Sequence, residues 1–164
     1  MRAVMVGAGG FGREVYHWVQ DSDIARLVDD VVFIDDDLEA LAPFPHLRGL
    51  LTSQISDFMP GADDALIMAI ADPPTKESVA RALQERGGRF ASVVHSSVVL
   101  SSDARIGQGS ILCPGVVICT NVSIGELVLM NVGSSVGHDA RIDDFCSVMG
   151  HADITGRTTI GAGS

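Results

Sequence analysis

The sequence predicts two structural units: a small α/β unit with a mostly parallel sheet over residues 1–93, and an all-β parallel β-helix over residues 94–164. Two observations support this division. In the first unit, short apolar runs alternate with segments of helical periodicity. In the second unit, an aliphatic residue returns at every sixth position, a period that neither a helix nor a long strand explains.

The α/β unit is predicted from four apolar runs and two helical segments. The runs RAVMVGAGG, DVVFIDDD, ALIMAIAD and RFASVV are expected to form strands. The segment REVYHWVQD is expected to form a helix, and a second helix should run from a Thr75 cap to about Arg86, before Gly87 and Gly88. Such alternation implies a small parallel sheet covered by helices.

The second unit consists of twelve six-residue repeats, of which the last has five residues. The first residue of each repeat is aliphatic: Val94, Leu100, Ile106, Leu112, Ile118, Ile124, Met130, Val136, Ile142, Val148, Ile154 and Ile160. The fifth residue of each repeat is small or β-branched. Three repeats make one turn of a prism with the aliphatic residues inside, and turns stack about 4.8 Å apart. Because the repeat is still intact at Ser164, we expect the C-terminal turns of the β-helix to be missing from this chain.

Composition excludes several classes of protein. The net charge of −10 is spread along the chain without a basic run, which argues against binding of nucleic acid. No apolar run approaches the roughly 18 residues of a membrane span, and the start of the chain lacks the features of a secretory signal. The three cysteines form no CxxC pair, so neither a disulfide framework nor a zinc knuckle is expected. The cytoplasm is the expected location.

A glycine-rich turn joins the first predicted strand to the first helix. Gly7, Gly9 and Gly12 have the G-x-G-x-x-G spacing, and the following helix N-terminus offers free N–H groups to an anion. Asp35, at the end of the second strand, stands where a ribose-binding carboxylate is expected. The unit is too short for a full dinucleotide fold, so we favour a nucleotide-sugar ligand. A purely structural glycine turn and NAD binding are the alternatives.

His138 is the candidate general base of the β-helix. It occupies the third place of its repeat, at a corner where side chains project outward, next to Asp139. One turn of 18 residues above it lies Gly156, whose backbone N–H is open to approach; the alternative is that the pair consists of solvated turn residues. No metal is expected, because His95 and His151 lie three turns apart, about 14 Å.

Four segments resemble one known family. They are VGAGGFGREV, FIDDD, MAIAD followed by Lys76, and MNVGSSVGHDARI. Together they resemble the NeuD/PglD-type sugar acyltransferases of bacteria. The resemblance implies a Rossmann-like nucleotide-sugar-binding domain followed by a left-handed β-helix, a homotrimer, and acetyl-CoA bound between neighbouring β-helices.

The resemblance also implies roles for individual residues. His138 would be the general base, supported by Asp139, while Asn131 would position the acetyl group or the acceptor. The N–H group of Gly156 would stabilise the oxyanion. The residues implied in nucleotide-sugar binding are Gly7, Gly9, Gly10, Phe11, Asp35, Asp36, Ala71 and Lys76. Phe11 stands where many relatives have histidine, and Ala71 replaces a common glycine.

The predicted function is acetyl transfer from acetyl-CoA to the 4-amino group of a UDP- or GDP-linked deoxyamino sugar, for bacterial surface-glycan synthesis. O-acetylation of a sialic acid or another sugar hydroxyl is the alternative within the same enzyme class. A non-catalytic trimer that binds nucleotide-sugars is the alternative outside it.

Overall fold

The computed structural model describes all 164 residues, and its first unit is a four-stranded parallel sheet with two helices. In chain order the elements are β1 (Arg2–Val6), α1 (Gly10–Val19), β2 (Asp30–Ile34), β3 (Leu51–Ser53), β4 (Asp64–Met68) and α2 (Pro73–Glu85). The strand order in the sheet is β3-β2-β1-β4, and all neighbours pair in parallel. The predicted small parallel sheet is confirmed.

β1 and β4 are the most deeply buried strands of the sheet. β1 lies between β2 and β4, and four of its five residues are buried, as are all five of β4. A strand that is covered on both faces has this continuous apolar character rather than strict alternation. The carboxyl ends of β1, β2 and β4 therefore lie side by side, next to the start of α1.

Two strands at the borders of this unit differ from the prediction. β3 was not predicted, because a three-residue strand with an exposed threonine at its centre carries no periodic signal. The predicted strand RFASVV is divided: Phe90 forms a single parallel bridge with Leu66, whereas Val93–Val94 pairs with the β-helix. The segment leaves the sheet early because its backbone hydrogen bonds go to both units.

The cap of α2 also differs from the prediction. Asp72, rather than Thr75, is the N-cap, and its carboxylate accepts a hydrogen bond from the Thr75 N–H at 3.0 Å. Pro73 then occupies the first position of the helix, where its missing N–H costs nothing. The helix begins three residues earlier than expected.

The second unit has twelve two-residue strands, and each ends on one of the aliphatic repeat residues. They are β5 (Val93–Val94), β6 (Val99–Leu100), β7 (Arg105–Ile106), β8 (Ile111–Leu112), β9 (Val117–Ile118), β10 (Ser123–Ile124), β11 (Leu129–Met130), β12 (Ser135–Val136), β13 (Arg141–Ile142), β14 (Ser147–Val148), β15 (Asp153–Ile154) and β16 (Thr159–Ile160). They form three parallel sheets, β5-β8-β11-β14, β6-β9-β12-β15 and β7-β10-β13-β16. Every pairing joins residues 18 apart, for example Val136 with Ile154. The stacked sheets fit a left-handed parallel β-helix and confirm the predicted repeat.

The two units share one hydrophobic core. The outward residues Val93, Ile111 and Leu129 of the β5-β8-β11-β14 face are 1–3% exposed because the α/β unit packs against this face. One apolar cluster contains Met5 and Phe33 of the α/β unit together with the β-helix interior. The boundary between residues 93 and 94 stays a prediction. Neither helix has the length and apolar character needed to cross a membrane.

Candidate active site

The predicted base and its neighbouring acid are in direct contact. Nδ1 of His138 lies 2.8 Å from Oδ2 of Asp139, although the two residues are adjacent at a corner after β12. Asp139 has φ of +60°, in the left-handed region, and this turns its carboxylate back toward the imidazole. The His138 side chain is 56% exposed, so a substrate can reach it.

Asp139 fixes the protonation pattern of the imidazole. Its other oxygen, Oδ1, accepts a hydrogen bond from Nδ2 of Asn121 at 2.8 Å. Hydrogen bonds from Asn121 and then from His138 hold the pKa of Asp139 below its ordinary value. The ionised carboxylate can only accept hydrogen bonds, so Nδ1 of His138 carries the proton. The lone pair of the neutral ring is then on Nε2, where a base needs it.

Gly156 lies directly above the imidazole. A Cβ atom at Gly156 would stand 2.8 Å from Nε2 of His138 and 3.0 Å from Cε1, so a side chain there would displace the ring. The N–H group of Gly156 donates no hydrogen bond within the chain. The residue that faces the unprotonated nitrogen of His138 therefore has an N–H group without a partner in the chain.

Asn131 does not join this group within one chain. It follows β11, whereas His138 follows β12, so the two lie at successive corners of the prism. Oδ1 of Asn131 accepts a hydrogen bond from the Val132 N–H at 2.7 Å, and its backbone carbonyl accepts from Ser134. The structure thus brings together His138, Asp139 and Gly156.

Two of the predicted glycines are required by the fold, and two are not. Gly7 has φ of +106°, and a Cβ on Gly12 would collide with the carbonyl oxygen of Gly7. By contrast, nothing lies within 4 Å of a Cβ at Gly9, and the only atom near Gly10 belongs to Arg13. Gly9 and Gly10 therefore border open space at the N-terminus of α1, where the first N–H groups of the helix lack partners.

The acidic residues after β2 differ in their surroundings. Oδ2 of Asp35 accepts a hydrogen bond from the Ala8 N–H at 2.6 Å, and its Oδ1 accepts from the Asp37 N–H at 2.9 Å. Asp35 thus ties the glycine turn to the end of β2. Asp36 is exposed, and its Oδ1 accepts from the Ile55 N–H at 3.1 Å.

Phe11 and Ala71 are both half-buried near the carboxyl ends of the strands. Phe11 contacts Trp18 edge to face, with 6.4 Å between ring centroids. Ala71 follows β4, and its carbonyl oxygen accepts a hydrogen bond from Oγ of Ser147 at 2.6 Å. This contact links the predicted sugar-binding loop to the β-helix.

Lys76 is buried rather than open to a ligand. Its side chain is 1% exposed, and Nζ donates to the carbonyl of Cys146 at 2.9 Å and to Oγ of Ser147 at 2.8 Å. Burial lowers the pKa of its amino group to about 8. In this structure the lysine joins α2 to β14, and a sugar-binding role for it stays a prediction.

The candidate site is an open surface in a single chain. The three cavities, of about 380, 160 and 270 Å³, contain none of the predicted site residues. No group of three or more His, Cys, Asp or Glu side chains is placed to hold a metal ion.

Asn121 is the residue of this site that sequence reasoning missed. It stands 18 residues before Asp139, and this spacing equals one turn of the β-helix. The same 18-residue spacing that relates His138 to Gly156 relates Asp139 to Asn121, so the sequence does contain a signal for this contact.

Proteins of similar sequence and structure are known. No family model matches the chain. The chain is 27% identical over 158 residues to a GDP-perosamine N-acetyltransferase of Escherichia coli O157:H7, a match that covers 94% of this chain and 70% of the relative. It superposes on WeeI from Acinetobacter baumannii AYE with a TM-score of 0.84 and 29% identity, covering 97% of this chain and 74% of that one.

A third similar structure is a mutant of perosamine N-acetyltransferase from Caulobacter crescentus in complex with CoA and GDP-perosamine. Its TM-score is 0.74 at 21% identity, and the match covers 99% of this chain and 87% of the other. The chain is thus similar over nearly its whole length to sugar N-acetyltransferases, which agrees with its resemblance to the NeuD/PglD-type sugar acyltransferases. The predicted enzyme class, an acetyl-CoA-dependent sugar N-acetyltransferase, is thereby confirmed.

Proposed function

We propose that this chain transfers an acetyl group from acetyl-CoA to the 4-amino group of a nucleotide-linked deoxyamino sugar, with His138 as the general base. The observation that carries the proposal is the orientation of His138. Nδ1 is held by Asp139 at 2.8 Å, and Nε2 faces Gly156, whose N–H has no partner within the chain. A base and an oxyanion donor are both needed for acyl transfer, and here they are adjacent.

The proposed reaction is a direct displacement at the thioester. The sugar amine attacks the acetyl carbonyl carbon while Nε2 of His138 removes a proton from the nitrogen. The N–H of Gly156 stabilises the negative oxygen of the tetrahedral intermediate. When the carbon–sulfur bond breaks, the thiolate of CoA takes the proton from His138, so the base is regenerated. Asp139 stabilises the imidazolium that forms in between.

Features of the α/β unit support nucleotide-sugar binding there. The strand order β3-β2-β1-β4 matches the first four strands of a Rossmann sheet, so we describe this unit as Rossmann-like. The open space at Gly9 and the unpartnered N–H groups at the start of α1 suit a diphosphate. The names of two relatives point to a GDP-linked sugar as the first acceptor to test.

A homotrimer fits the exposed face of the β-helix. On the β6-β9-β12-β15 face, the outward residues Val99 and Val117 are 62% and 37% exposed. His138 lies at the end of the same face, in no cavity of its own. A neighbouring β-helix on this face would cover the valines and enclose the site.

The proposal is tested by comparing wild type with His138→Gln. Release of CoA from acetyl-CoA is followed with GDP-perosamine as acceptor, and binding of GDP-perosamine is measured by calorimetry. We expect wild type to release CoA only when the sugar is present. The variant should be on the order of 100-fold slower or more, with sugar binding unchanged. Retention of the wild-type rate by the variant would contradict the role of His138.

A further inference from the structure

Asn121 is bonded to the His138–Asp139 pair from one full turn below. Its Nδ2 donates to Oδ1 of Asp139 at 2.8 Å, while Oδ2 of the same carboxylate accepts from Nδ1 of His138 at 2.8 Å. The two oxygens of Asp139 therefore have different partners. The amide holds one end of the carboxylate and the imidazole holds the other.

The backbone at this corner has the same left-handed conformation in successive turns. Asn121, Asp139 and Arg157 occupy the same place in three successive turns, and their φ angles are +55°, +60° and +62°. Asparagine and aspartate adopt this left-handed conformation more readily than most residues. The side chain of Asn121 is thereby directed along the stack to the carboxylate above it.

The other charged groups near this corner hold the Asp139 carboxylate less firmly than Asn121 does. Nε of Arg157, in the turn above, is 4.0 Å from Oδ2, and its side chain is 81% exposed, so solvent weakens the attraction. Asp103, two turns below Asp139, is bonded to Oγ1 of Thr120 at 2.6 Å instead. Asn121 is the partner of Asp139 with good hydrogen-bond geometry besides His138 itself.

We infer that Asn121 is a positioning residue for the acetyl transfer: it fixes the carboxylate of Asp139 so that His138 keeps its proton on Nδ1 and its lone pair toward Gly156. This inference rests on the proposed function for its catalytic consequence. Without the amide, the carboxylate can rotate about its Cβ–Cγ bond. The imidazole then loses the acceptor that selects its tautomer.

The test uses two variants that remove the donor in different ways. Asn121→Gly deletes the side chain and keeps a residue that readily adopts positive φ. Asn121→Asp keeps the shape but places a carboxylate, which cannot donate, against Asp139. His151→Gly is the matched control, because His151 has φ of +59° at a different corner and does not contact His138.

Two quantities are measured. The ¹⁵N chemical shifts of the His138 ring report which nitrogen carries the proton, and kcat and KM report the reaction. We expect both Asn121 variants to increase the Nε2-protonated form and to lower kcat on the order of tenfold, with KM for acetyl-CoA unchanged. The His138 signals in His151→Gly should match those of wild type.

The outcome that overturns the inference is a His138 tautomer in both Asn121 variants identical to that of wild type, whether or not kcat changes. The ring signals do not depend on turnover. If wild type itself shows no acetyl transfer, the proposed function fails, and the tautomer comparison still decides the role of Asn121.

Discussion

Lys76 makes the free energy of unfolding depend on pH in a measurable way. It is the sole lysine of the chain, and burial lowers its pKa from 10.5 to about 8. In the unfolded chain the amino group titrates normally. Between about pH 8 and about pH 10.5 the unfolded state therefore binds more protons than the folded state, and the free energy of unfolding rises with pH.

The size of the effect follows from the two pKa values. Below about pH 8 the amino group is charged in both states, and the folded state carries the full cost of burying the charge. The difference between 10.5 and about 8 corresponds to about 3 kcal/mol, since each tenfold change in a proton-binding constant is about 1.4 kcal/mol. Lys76→Met keeps an unbranched side chain and lacks the charge.

Urea unfolding of wild type and Lys76→Met, at one protein concentration and a series of pH values, measures this difference. We expect wild type to gain about 3 kcal/mol relative to the variant between about pH 7 and about pH 10.5. The ¹³Cε resonance of the single lysine should titrate near pH 8.

A difference between the two proteins that does not vary with pH would refute this reasoning. So would a lysine resonance that titrates near its ordinary pKa. Either result would mean that the amino group is not buried against Cys146 and Ser147, and that α2 does not pack on β14 as described.

Three further predictions concern the site and the assembly. Gly156→Ala should lower kcat at least about tenfold, because the added Cβ displaces the His138 ring. Gly150→Ala should retain activity, because Gly150 has the same place in another repeat and the atom nearest to its added Cβ is 3.4 Å away. Equal rates for the two variants would contradict this prediction. Gly9→Ala should keep the wild-type melting temperature and weaken nucleotide-sugar binding in calorimetry, because only open space lies beside Gly9. Gly12→Ala should instead lower the free energy of unfolding by about 2 kcal/mol. Unchanged binding by Gly9→Ala would argue against a ligand at the glycine turn. Val117→Asp should convert a trimer to monomers in light scattering, and an unchanged mass would place the interface elsewhere.

The β-helix could be predicted from the sequence almost completely. One residue in six points into the prism, so the apolar pattern alone locates all twelve strands and their 18-residue pairing. β3 and the division at Phe90 could not be predicted, because such short pairings depend on where neighbouring strands happen to end. Local pattern is informative only where many residues share one period.

The candidate site was predictable where it depends on the repeat and not where it depends on packing between units. The 18-residue spacing placed Gly156 beside His138. The hydrogen bond from Lys76 to Ser147 joins residues 71 apart, and it exists because α2 packs on one particular face of the prism. No local pattern indicates that face, so the burial of Lys76 could not be read from the sequence.

The product of the reaction tests the central claim most directly. Wild-type protein is incubated with acetyl-CoA and GDP-perosamine, and the product is analysed by mass spectrometry and NMR. The account predicts one added acetyl group per sugar, attached to the amino nitrogen, with one CoA released for each. An acetyl group on a hydroxyl oxygen, or no acetylated product with any nucleotide-linked amino sugar, would contradict it.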